Sequence, residues 1–149
     1  MDLTRQLDGY CERIDPSFWA EPINAITNAA FLVAALFMWR RADGQVLAQL
    51  LCIILFAIGV GSFLFHTFAQ TWAAIADVLP IILYILVYIF AATRDFYAQK
   101  TWIAVLAVLA FFPYVAALTP LFAQIPGFES SSAYGPVPLL ILIYAIGLR

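Results

Sequence analysis

The sequence predicts an all-α fold, a polytopic bundle of transmembrane helices. Three observations carry that reading: the chain is poor in charge, the charge is missing from long stretches, and the tryptophans stand at the ends of those stretches. Of the 149 residues, 65% are hydrophobic, 16% aromatic and 11% charged. A soluble globular domain carries roughly 25% charged residues, and 11% is too little to cover such a surface in water. Between Gln45 and Thr93 the one formal charge is Asp77, and between Thr101 and Phe128 there is none. About 20 apolar residues at roughly 1.5 Å each cross a hydrocarbon core about 30 Å thick. The stretch from Gln45 to Thr93 is too long for one crossing and must fold back, most readily at the polar break Thr67–Trp72.

The elements follow in order. Residues 1–21 form an outward-facing acidic segment, and residues 1–149 make one membrane domain. Spans are expected at about 22–39, 46–67, 72–93 and 102–124, with a shorter fifth at about 134–148. Trp19, Trp39, Trp72 and Trp102 fall at their ends, where amphipathic rings prefer the membrane–water interface. Gly127, Ser130, Ser131, Ser132 and Gly135 with Pro126 and Pro136 mark the loop between the last two spans.

Basic residues set the expected orientation. Arg40 and Arg41 lie in the first loop, Arg94 and Lys100 in the third, and Arg149 follows the fifth span. If the spans alternate, these share one side, which the positive-inside rule makes cytoplasmic. The N-terminal segment holds Arg5 and Arg13 but also Asp2, Asp8, Glu12, Asp15 and Glu21, and is read as outside. The expected location is a multi-pass protein of the bacterial inner membrane. The net charge of −2 gives no sign of a nucleic-acid partner. The polar first 21 residues do not resemble a cleavable signal. Cys11 and Cys52 belong to opposite ends of the membrane and are not expected to pair.

Polar groups inside a span are costly and are functional candidates by default. In the first span Glu21, Asn24 and Asn28 recur at helical spacing with Thr27 beside them. They serve either interhelical hydrogen bonding or a site. In the second span Ser62 and His66 are four residues apart and share one helix face. Asp77 comes eleven residues after His66, about 16 Å further along a continuous helix. With a turn near Gln70, the two instead reach similar depth on neighbouring antiparallel helices. Pro80 is expected to kink the third helix. The spacing alone leaves three chemistries open. A neutral His is a common metal ligand, beside which Asp orients it or acts as a base and Ser stabilises an oxyanion. A satisfied His–Asp hydrogen bond between packed helices is the simpler alternative. A proteolytic triad is the third, poorly served by Ser and His on adjacent turns of one helix.

Two passages together resemble the bacterial branch of the alkaline ceramidase family. One is Tyr10-Cys11-Glu12-Arg13 followed by Phe18-Trp19-Ala20-Glu21-Pro22-Ile23-Asn24-Ala25-Ile26-Thr27-Asn28. The other is Gly59-Val60-Gly61-Ser62-Phe63-Leu64-Phe65-His66 with Asp77 and Pro80 after it. That family belongs to a group of seven-span membrane hydrolases that includes the adiponectin-receptor-like proteins. The resemblance implies an intramembrane zinc amidohydrolase that cleaves a ceramide-like lipid to a sphingoid base and a fatty acid. It implies His66 as a zinc ligand, Asp77 as the base that takes a proton from the zinc-bound water, and Ser62 as the oxyanion stabiliser. It further implies a calcium site in the acidic segment, for which Asp8, Glu12, Asp15 and Glu21 are the candidate ligands. Asn24, Thr27 and Asn28 form the supporting polar face.

The family's other two zinc ligands come from a His-x-x-x-His in a seventh span. Here His66 is the one histidine, whereas a catalytic zinc normally takes three protein ligands. The expectation is therefore a chain truncated at its C-terminus, with about five of seven spans. It should bind zinc weakly and hydrolyse ceramide negligibly. The alternatives are a non-catalytic lipid-binding or scaffold module and a receptor-like member of the wider group, and the Tyr-Cys-Glu-Arg and Phe-Trp-Ala-Glu-Pro passages argue against the latter.

Overall fold

The structure, a computed structural model, describes residues 2–7, 9–128 and 131–147. Helix follows helix: α1 (Pro22–Thr27), α2 (Ala29–Arg41), α3 (Val46–Phe68), α4 (Thr71–Ala91), a π-helical turn (Ala92–Phe96), α5 (Thr101–Phe122) and α6 (Pro136–Gly147). Four stretches are long and apolar enough to cross a membrane: Pro22–Arg41, Val46–Phe68, Thr71–Phe96 and Thr101–Phe122. The protein is a multi-pass membrane protein. Large apolar side chains such as Leu36, Leu79, Leu83 and Leu109 lie exposed on these helices, as expected of surfaces whose solvent is lipid. The fifth segment, α6, is shorter at 12 residues, about 18 Å of helix.

The first span departs from the expected single helix. Asn28 separates α1 from α2. The Thr27 hydroxyl donates to the Ile23 and Asn24 carbonyls, and the Asn28 amide donates to the Asn24 carbonyl at 2.8 Å. Side chains that bond back onto the preceding turn compete with the helical ladder and bend it.

The chain forms two compact units, residues 1–87 and 88–149, and the boundary falls inside α4. In the first unit α1 and α2 pack on α3. The packing relies on small residues, which let helix backbones approach closely in a membrane. Ala25 and Ala35 are buried, and a Cβ on Gly59 would stand 2.8 Å from Leu32 Cδ2. Between α3 and α4 the chain reverses at Ala69, whose φ of 46° and ψ of 45° make a left-handed helix cap. The N-terminal segment straps this turn: the Leu7 amide donates to the Ala69 carbonyl, the Thr71 amide to the Arg5 carbonyl, and the Trp72 amide to the Leu3 carbonyl. In the second unit α5 packs on α6. There Thr93 shares a hydrogen bond with the Tyr144 hydroxyl, Tyr97 donates to the Tyr144 carbonyl, and Tyr114 donates to the Pro136 carbonyl. Cys11 and Cys52 are both free thiols.

Candidate active site

Ser62 and His66 lie one turn apart near the end of α3, and both are buried. Asp77 lies on α4 beyond the Ala69 turn and is buried too. Two sequence features bring the helices together at this depth. Pro80 has no N–H, so the carbonyl four residues back, Ala76, loses its helical donor. Gly61 faces that carbonyl, and any Cβ at Gly61 would collide with the Ala76 oxygen. The flanking residues Ser62 and Asp77 are thereby brought side by side. Ser62 and Asp77 are both buried on either side of this contact. The buried Oδ1 of Asp77 has no hydrogen-bond partner among the described residues, which leaves an acceptor free in the site.

On its other side His66 is held by a buried relay. Its Nδ1 lies 2.6 Å from Glu21 Oε2, and Arg13 Nε donates to Glu21 Oε1 at 2.5 Å. A second Arg13 nitrogen donates to the His66 carbonyl at 3.1 Å, and a third to the Asp15 and Ser17 carbonyls. Arg13, Glu21 and His66 are 8%, 2% and 6% exposed. Tyr10 meets the imidazole edge-to-face, with ring centroids 4.8 Å apart.

The residues considered for calcium have separate tasks. Both Glu12 oxygens serve the start of α1: Oε1 accepts from the Ile23 amide, and Oε2 from the Asn24 amide and side chain. Such a carboxylate satisfies the orphan donors of a first turn. Asp15 accepts from the Ser17 amide at 2.7 Å, and bonding to Ser17 holds its carboxyl below the ordinary value. Glu21 joins Arg13 and His66. Glu12, Asp15 and Glu21 do not converge on a common point for a cation, and Asp8 lies outside the described residues. Of the polar face, Asn28 is buried, Asn24 is half-buried on Glu12, and Thr27 is exposed.

A catalytic zinc needs about three protein donors and an open position. The cluster offers one imidazole and one carboxylate. Among the described residues no three His, Cys, Asp or Glu side chains group so as to hold a metal ion. The residues present therefore do not make a zinc site by themselves.

Sequence reasoning missed the roles of Arg13, Tyr10 and Glu21 around His66. The available signal was Arg13 itself, a basic residue set among acids immediately before a polar span.

Two comparisons with known proteins found nothing: no curated protein and no solved structure matches the chain. A third, against family models, matches residues 9–148 to the family described as Ceramidase.

Proposed function

The chain belongs to the ceramidase family, and from that premise we propose that it acts on the N-acyl amide of ceramide or a related membrane lipid, releasing a fatty acid and a sphingoid base or amine. A hydrolase role follows the family; the substrate and the residue roles are our reading. The observation that carries it is the unpartnered buried carboxylate oxygen of Asp77, on α4 next to Ala76, where Gly61 brings the helix of Ser62 into contact.

In this reading Asp77 accepts a proton from the attacking water. The water oxygen bonds to the amide carbon, and Ser62 donates a hydrogen bond to the oxygen that gains charge. The proton held by Asp77 then passes to the leaving nitrogen as the C–N bond breaks, which leaves acid and amine. His66 is the one imidazole with which this chain would contribute to a zinc ion. The further donors that zinc requires are not among the described residues, so no step is assigned to it.

That shortfall also supports a second reading, a non-catalytic membrane lipid-binding module that binds lipid without turnover. One assay separates the two: fatty-acid release and retention of a fluorescent N-acyl sphingoid base by the purified protein in detergent. Turnover that Asp77→Asn and Ser62→Ala reduce at least tenfold, with lipid retention preserved, supports the hydrolase. Retention without turnover supports the module. Turnover indifferent to both substitutions would overturn the site.

A further inference from the structure

The acidic segment carries two glutamates near the start of α1, and the structure uses them differently. Glu21 stands at the N-cap position, directly before Pro22, yet its side chain makes no capping bond. Glu12 does that work from a distance, accepting from the Ile23 and Asn24 amides. Glu21 is thereby free to turn inward, where one oxygen meets Arg13 and the other meets His66 Nδ1.

An ionised carboxylate has acceptors only. Arg13 remains charged under all ordinary conditions and forms a buried ion pair with Glu21. A carboxylate oxygen 2.6 Å from Nδ1 then requires the proton to be on Nδ1. A neutral ring with its proton on Nδ1 carries its lone pair on Nε2. Arg13 also donates to the backbone carbonyl of His66, and Tyr10 closes the ring edge-on. Both the tautomer and the orientation of the imidazole are therefore determined from one side.

We propose that Glu21, fixed by Arg13, is a positioning residue that locks His66 in the Nδ1–H tautomer and presents the Nε2 lone pair. It acts through His66 and needs no contact with substrate. The proposal deepens the reading above, since His66 matters to function only if that site works, but its test does not depend on activity.

His66 is the one histidine in the chain, so histidine labelled with ¹⁵N gives the signals of a single ring. Two-bond ¹H–¹⁵N correlation spectra in detergent at neutral pH should show a pyrrole-type Nδ1 and a pyridine-type Nε2. Glu21→Gln leaves a single oxygen for two donors; with that oxygen on Arg13 its amide group donates to Nδ1, and the ring proton should move to Nε2. Glu21→Ala should shift the ring toward a tautomer mixture while the helical circular dichroism is retained. A wild-type ring that is an imidazolium, or protonated on Nε2, overturns the proposal, as does a spectrum unchanged by Glu21→Ala. If Glu21→Ala fails to fold, the wild-type and Glu21→Gln spectra decide alone. Failure of hydrolysis with the tautomer intact counts against the proposed function only, and the reverse counts against this proposal only.

Discussion

The carbonyl oxygen of Ala76 rests against Gly61 with no room for a methyl group between them. Two local rules produce this contact. Pro80 removes the helical donor that Ala76 would have had, and glycine alone lets a second backbone come this close. The consequence is functional, because the next residue on each helix is a site residue, Ser62 on α3 and Asp77 on α4.

Gly61→Ala should therefore act on the site without altering any polar group in it. The added methyl meets a backbone atom, which cannot swing aside as a flexible side chain can. Overpacking of this kind costs about 1–3 kcal/mol. Thermal unfolding in detergent should fall accordingly, and lipid turnover should fall with it as Ser62 and Asp77 part. Unchanged melting would show that α3 and α4 do not meet there.

Arg13 is the second test of the packing. Removing one partner of a buried ion pair leaves an uncompensated charge, a loss of about 3–5 kcal/mol. Arg13→Met should be that severe, since Glu21 is left buried with only the imidazole beside it. Arg13→Met combined with Glu21→Gln should recover much of the loss, because no buried charge then remains. The difference from additivity in a double-mutant cycle is the measure. Additive effects would mean that the two side chains do not sense each other.

The legibility of these features in the sequence follows physical lines. The helices were readable because the demand of a bilayer for about 20 apolar residues is strong and local. Ser62 and His66 were readable together because four residues return a helix to the same face. The break at Asn28 was not, because hydropathy does not register side chains that bond back to Ile23 and Asn24 carbonyls. The relay through Arg13 was not, because it joins residues 53 positions apart in a segment with no periodicity. Read as charges, Arg13 and Glu21 bore on orientation and calcium. Their pairing with each other depends on a loop whose course no pattern announces.

Calcium provides a third test. Glu12 is engaged by the first turn of α1, Asp15 by Ser17, and Glu21 by Arg13 and His66. A cation would have to compete with each of these bonds. Millimolar calcium, or its removal by a chelator, should leave the melting temperature of the purified protein unchanged. A clear rise with calcium, lost in Glu12→Gln or Asp15→Asn, would show that the segment rearranges around the ion.

The last prediction concerns the membrane. The strap bonds Leu3, Arg5 and Leu7 to the Ala69–Trp72 turn, so both must lie at the same face of the bilayer. Asp43 lies in the turn between α2 and α3, one crossing away. Arg40 and Arg41 precede it in the last turn of α2, and the positive-inside rule assigns that face to the cytoplasm. Single cysteines at positions 3, 43 and 70, in a background with Cys11 and Cys52 replaced, separate the two claims. Positions 3 and 70 should react with an impermeant reagent from outside, and position 43 from the cytoplasmic side. If all three sides are reversed, the orientation is wrong and the strap stands. If positions 3 and 70 react from opposite sides, the strap itself is wrong. The N-terminal segment would then have no hold on the α3–α4 turn, and Arg13 could not reach His66 from the side on which it begins.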